Sequence, residues 1–176
     1  MYRIVPAIAS LEQHLQTLIW NPELYRPVRC QHGGRGSPWG HGHYERKADR
    51  GKGVLNPVQV PRFLCPGCER SCSRLPACIA PRRWYDWAMQ QAVVLSVLMG
   101  QSLRACARSH GVDRRTVGRW WQWLQARSEV FSFRLRSHWI EWGRAVDWRR
   151  FWSLGLSQQP LRDLMAWLDS QGLDVP

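Results

Sequence analysis

Residues 103–120, Leu-Arg-Ala-Cys-Ala-Arg-Ser-His-Gly-Val-Asp-Arg-Arg-Thr-Val-Gly-Arg-Trp, constrain the fold more than any other stretch of this chain. Two short helices that cross closely need a small residue where they touch, a residue tolerant of positive φ between them, and apolar side chains at set intervals on the shared side. Ala107, Gly111 and the set Cys106, Val112, Val117 and Trp120 occupy those positions. Asp113 stands where its carboxylate caps the free amides of the second helix and complements that helix's positive end. The stretch predicts a helix over 103–109, a turn over 110–113 and a second helix from Arg114, the pattern of a helix-turn-helix.

The first turns of that second helix expose Arg114, Arg115, Thr116, Gly118 and Arg119. In this motif the second helix enters the major groove of double-stranded DNA with its N-terminal residues toward the bases. Arg114, Arg115 and Arg119 are therefore candidate guanine readers or phosphate clamps, and Thr116 a contact to base or backbone. Gly118, without a side chain, would let the helix approach closely. Arg104 and Arg108, on the preceding helix, suit phosphate contacts, which position a protein without specifying sequence. The competing reading is an ordinary pair of packed helices with a solvated basic face.

Charge decides between these readings in favour of nucleic acid. The net charge is +12 over 176 residues, and of the 25 basic residues only Lys47 and Lys52 are lysines. Guanidinium groups pair bidentately with phosphate and with the guanine edge, so an arginine excess suits nucleic acid better than solubility alone requires. A membrane role is not expected: the most apolar stretch, residues 92–99, is far shorter than the roughly 20 residues of a spanning helix, and the N-terminal residues lack a basic region followed by an apolar core. A cytoplasmic, nucleoid-associated location follows, where closely spaced cysteines hold metal more often than they form bridges.

Cys65-Pro66-Gly67-Cys68 is such a pair, two thiols around a glycine turn, and makes half a zinc site. The other half is expected from Cys30, across a hairpin whose return strand shows in Val58, Val60 and Phe63-Leu64. Cys30-Gln31-His32-Gly33 has glycine where a partner cysteine would stand. The fourth ligand is then His32 in a compressed turn, His41 or His43 from the hairpin, or Cys72, unless the ribbon holds its shape without metal; the set carried forward is Cys30, His32, Cys65 and Cys68 with Zn(2+). Cys78 and Cys106 fall among apolar residues and read as buried thiols. His14, His110 and His138 read as ordinary structural or surface residues.

Elsewhere Ser10-Leu11-Glu12-Gln13 has capping-box spacing, and Leu11, Leu15, Leu18 and Ile19 share a helical face that ends at Asn21-Pro22. Residues 75–81, with two prolines, read as a linker. Trp87, Val94, Leu95 and Leu98 outline a helix, and further helices are expected from near Asp147 and Pro160, the last capped at Gly172. Eight of the twelve tryptophans lie from Trp120 onward and recur at three- and four-residue steps, a pattern of helical packing rather than of base stacking. An apolar face left over from that packing would serve a homodimer. The expected fold is mainly α, with a small β zinc-ribbon-like N-terminal module. Its segments are an N-terminal helical segment (1–24), the ribbon module (25–80), the helix-turn-helix domain (81–126) and a tryptophan-rich helical tail (127–176).

The order Leu24-Tyr25-Arg26-Pro27-Val28-Arg29-Cys30, Trp39-Gly40-His41-Gly42-His43-Tyr44-Glu45-Arg46-Lys47, Arg62-Phe63-Leu64-Cys65-Pro66-Gly67-Cys68, then Leu75-Pro76 and Pro81-Arg82-Arg83-Trp84 ahead of the helix-turn-helix resembles zinc-ribbon and helix-turn-helix proteins associated with bacterial insertion sequences and transposases. The resemblance covers most of residues 10–125. It implies binding to terminal repeats or a regulatory role in a mobile element, with Arg114, Arg115 and Arg119 facing DNA, and admits a separate transposase subunit as partner. In that family the first pair is usually Cys-x-x-Cys, from which Gly33 departs. No enzyme activity is expected, because some 50 residues after the motif are too few for a ribonuclease-H-like core, and Asp147, Asp163 and Asp169 sit at helical spacings suited to caps or solvated faces. A host helix-turn-helix transcription regulator and a zinc-ribbon protein-interaction adaptor are the alternatives.

Overall fold

The computed structural model describes residues 2–30, 32–48, 57–81 and 85–175, which form two compact units. The first is Met1–Asp86 together with Asp169–Pro176, and the second is Trp87–Leu168.

The first unit is built on a four-stranded mixed sheet in the order β1-β4-β3-β2. Its strands are β1 (Tyr2–Val5), β2 (Trp39–Arg46), β3 (Val58–Leu64) and β4 (Ser71–Pro76). β2 and β3 pair antiparallel, as the hairpin reading predicts, with one register shift between Gly40 and His43. β3 turns directly into β4, Leu64 opposite Ser71. β4 then takes β1 on its other side in parallel, Ile4 opposite Leu75.

Side chains alternate across the sheet, and both faces are covered. Val58, Val60 and Leu75 form one buried cluster with Ala48 and Ile79, while Phe63 and Cys72 form another with Val5, Ile8 and Tyr25. Two sequence expectations are corrected here. Residues 75–81 are not a linker: Leu75 and Pro76 end β4, and Ala77, Ile79 and Ala80 are buried. The N-terminal segment is not only helical, because β1 joins the sheet.

Helix α1 (Leu11–Trp20) starts at Ser10 with the predicted capping box: the Ser10 hydroxyl accepts from the Gln13 N–H, and the Gln13 side chain accepts from the Ser10 N–H. Its fully buried residue is His14, while Ile19, expected on the apolar face, is 69% exposed. The Gln59 carbonyl can only accept, so His14 Nε2 carries the proton and donates to it at 2.9 Å. Nδ1 therefore accepts from the Tyr25 hydroxyl. The neutral imidazole thus ties α1 to β3 and to the 3-10 turn Pro22–Tyr25.

The second unit is all helix: α2 (Trp87–Leu98), α3 (Leu103–His110), α4 (Arg114–Arg136), α5 (Trp148–Gln158) and most of α6 (Leu161–Ser170). α4 runs 23 residues, well past the expected boundary at 126, because Leu124, Ser128, Phe131, Ser132 and Leu135 continue its buried face. α5 opens at Asp147, whose carboxylate accepts from the Arg150 N–H at 2.8 Å. The chain leaves α6 before Gly172, which has φ +84°.

Trp87, Trp120, Trp142 and Trp152 are buried, whereas Trp121, Trp123, Trp139, Trp148 and Trp167 are half-buried, so the spacing marks packed helices more than a fully sunken core. Trp142 and Trp152 are fully buried, and their indole N–H groups donate to Gln158 and Ser128 at 2.7 and 2.6 Å. Gln91 of α2 joins the corner between α5 and α6, donating to the Leu156 carbonyl and accepting from the Leu161 N–H. Among the described residues no helix is long and apolar enough to cross a membrane.

His14 carries a pH signature. Burial holds its proton affinity below the ordinary value, against the opposing Gln59 bond. Between that lowered value and about 6.5 the unfolded chain binds a proton the folded one does not, so stability rises with pH through this window. Thermal unfolding followed by circular dichroism should show a midpoint that falls as pH drops from 7.5 to 5.5 (about one unit either side of the free imidazole value). His14→Gln should flatten that fall, and an equally steep fall in the variant would assign it to other groups.

Candidate metal centre and basic helix face

The six residues from Cys65 to Arg70 are the loop of the β3–β4 hairpin. The Cys65 N–H donates to the Arg70 carbonyl at 3.0 Å, and the Glu69 N–H donates to the Cys65 carbonyl at 2.8 Å. Closing so tight a loop places Glu69 at φ +54°, a region sparsely used by residues with a side chain. The outcome is that Cys65 and Cys68 present their sulfurs on one side of the loop.

The segment that carries Cys30 lies against this loop, and two glycines permit the approach. A Cβ on Gly67 would fall 2.1 Å from the Arg35 carbonyl oxygen, far inside contact. One on Gly34 would fall 2.8 Å from Cys65 Sγ and 3.0 Å from Cys68 Sγ. Cys30 Sγ consequently sits 3.5 Å from Cys68 Sγ, and the sulfurs of Cys30, Cys65 and Cys68 all lie within 4.8 Å of one another. A tetrahedral metal with bonds of about 2.3 Å to sulfur spaces its sulfurs by about 3.8 Å, so the three thiols fit a thiophilic ion. Zinc there would tie the Cys30 segment to the hairpin loop. All three cysteines are free of disulfides.

The group prepares its own ionisation. The His32 N–H donates to Cys30 Sγ at 3.3 Å and, with help from the neighbouring thiols and the Gly34 N–H, holds the Cys30 thiol at about 7. At Cys68 the Arg70 N–H pulls the other way, yet desolvation and the two adjacent sulfurs leave that thiol raised.

Of the predicted ligands, Cys30, Cys65 and Cys68 are brought together. Among the described residues no histidine or further cysteine joins them. His32 is exposed and serves Cys30 through its backbone, and His41 and His43 are exposed on β2. Cys72 is a core residue of β4 opposite Phe63, where strand alternation buries it and burial raises its thiol. Cys106 is fully buried as expected, whereas Cys78 is only half-buried. Sequence reasoning placed Gly67 in the turn between the thiols but missed the close approach it permits, and missed Gly34 altogether; the signal was a glycine beside each half of the site.

In the second unit, α3 and α4 are joined by Gly111, Val112 and Asp113. Gly111 ends α3 at φ +62° with its N–H on the Ala107 carbonyl, the left-handed cap that glycine accepts without strain. Asp113 accepts from the Arg115 N–H at 2.8 Å. Cys106, Val112, Val117 and Trp120 are all buried, at 4% exposure or less. Burying such side chains contributes about 1.5–3 kcal/mol each for the larger ones, so the angle between the helices is set from within. Outward, Arg104, Arg108, Arg114, Arg115 and Arg119 are exposed, and Thr116 and Gly118 half-exposed. The Arg119 guanidinium donates to the Thr116 hydroxyl at 2.9 Å, which restrains it along the helix.

Residues 30–120, just over half of the chain, match the family described as Domain of unknown function (DUF6431), and the chain belongs to that family. The match opens at the first thiol, Cys30, and closes at Trp120, the last of the four buried residues around the α3–α4 turn. No curated protein and no solved structure matches the chain.

Gly67→Ala tests the close approach. Relieving the overlap with Arg35 should cost on the order of 1–3 kcal/mol and reduce bound zinc, measured as metal per chain after dialysis. Full zinc retention with wild-type stability would contradict it.

Proposed function

We propose that this chain binds double-stranded DNA sequence-specifically, with the first turns of α4 as its major-groove reader and α3 and α4 as a helix-turn-helix. The observation that carries the reading is the division of the 103–120 stretch. Its apolar side chains are buried around the turn, and all five of its arginines are exposed. Arg115 and Arg119 stand one helical turn apart, a spacing that suits bases or phosphates along a groove. Arg104 and Arg108 supply phosphate contacts from α3.

Zinc bound by Cys30, Cys65 and Cys68 joins the Cys30 segment to the hairpin loop, and the unit adds phosphate contacts or a protein interface. The motif order resembles that of insertion-sequence proteins, which supports a DNA-binding or regulatory subunit of a bacterial mobile element, without a catalytic core of its own and working beside a separate transposase. Homodimerisation would match such a protein to paired half-sites. An adaptor reading is favoured by one feature of the first unit, the exposure of Trp20 at 83%, Ile19 at 69% and Val28 at 87%.

A salt titration of binding to random duplex and to duplex carrying the repeats that flank the gene separates these readings. DNA recognition predicts affinity that falls steeply with salt and a preference for the repeats on the order of 10³-fold. A host regulator predicts salt-dependent binding without that preference, and an adaptor predicts weak binding to both. Arg115→Ala should cost about 1–3 kcal/mol on the specific site if it reads a base, and an equal loss on all duplexes makes it a phosphate contact.

Gly118→Ala separates binding from folding. A Cβ there meets nothing nearer than Leu103 Cδ1 at 3.9 Å, so the variant should gain roughly 0.5–1 kcal/mol in helix stability. If α4 lies against DNA, the added methyl weakens binding despite that gain. Unchanged affinity would place the DNA elsewhere.

A further inference from the structure

We propose that Cys30, Cys65 and Cys68 are the entire protein ligand set of the metal centre and that its fourth coordination position takes a soft anionic donor from solution, a small thiolate. The inference rests on the reading that these cysteines bind metal, and concerns what completes the shell.

Three thiols at mutual distances within 4.8 Å define one triangular face of a tetrahedron and leave one vertex unassigned. Gly33, at the position where a second thiol of the first pair would stand, is turned to φ +77°, and a Cβ built on it meets nothing within 4 Å, the sulfurs included. The residue that does face the sulfurs is Gly34, and there the fit is too close for any side chain. Among its described residues the loop therefore offers its backbone to the cluster on that side and no fourth ligand atom. His32 spends its N–H on Cys30 Sγ while its side chain is exposed.

Cys65 is buried, whereas Cys30 and Cys68 are half-buried, so solvent reaches the cluster from their side. Structural zinc sites are closed by four protein ligands, and three protein ligands mark a site that exchanges its fourth. A centre already rich in sulfur favours a further soft donor. A thiol entering there would displace a solvent water from the fourth position, its sulfur taking up the bond to metal and its proton passing to buffer.

The test loads the full-length chain with Co(II) and titrates it with 2-mercaptoethanol, reading the visible ligand-field bands and the near-ultraviolet thiolate-to-metal charge transfer. Charge-transfer intensity should rise saturably by about a third as three sulfurs become four, with His32→Ala giving the same starting spectrum as wild type. A spectrum inert to thiol, or one altered by His32→Ala before any thiol is added, overturns the open position while leaving metal binding intact. Failure of the wild-type chain to take up Co(II) overturns the metal reading itself.

Discussion

The hairpin loop between β3 and β4 closes against the Cys30 segment only because Gly67 has no side chain: any Cβ would overlap the Arg35 carbonyl. That single clearance has wide effects. The loop fixes the register of β3 on β4, and β4 in turn supplies the edge on which β1 pairs. Three sulfurs are collected at one end of the sheet by the same contact. A metal held by those sulfurs would join distant segments and stabilise the folded chain by its binding free energy.

The second unit is organised by a different constraint, the need to bury indoles without stranding their N–H groups. Trp142 and Trp152 are sunk completely, and each hands its proton to a side chain, Gln158 or Ser128. Because those partners lie on α5 and α4, each bond also fixes how one element meets another. Gln91 plays the same part at the α5–α6 corner, satisfying two backbone groups at once. α4 is held along its length, which leaves its first turns as a rigid basic rod end.

What the sequence disclosed was what chain neighbours decide. Ser10, Asp113 and Asp147 cap helices as their spacing implies, and Cys106, Val112, Val117 and Trp120 are buried together, because both effects act within a few residues. What it concealed depends on partners far away. β1 is a strand only because β4 accepts it, and residues 75–81 look like a linker until the sheet covers them. His14 has no local partner pattern; its acceptor comes from β3. At the metal centre the two knuckle cysteines were legible from their spacing, and Cys30 by complementing them. The failure of His32 and Cys72 to join came from backbone direction and strand alternation, which composition does not encode. The clearances at Gly34 and Gly67 exist only between segments.

The parallel seam between β1 and β4 also dictates the order in which this protein can be assembled. Ile4 pairs opposite Leu75, and its N–H donates at 2.8 Å to the buried Asp169 carboxylate, 165 residues further on. Emerging from the ribosome, β1 can pair once the hairpin, the cysteine loop and β4 have been made, but the Ile4 N–H waits for its carboxylate until the whole helical unit has been synthesised. The helices, made of local contacts, can form at once, whereas the first unit finishes last despite beginning first. Its final clasp joins Ile4 to Asp169, so a translation product interrupted before Asp169 would lack it even with every sheet residue present.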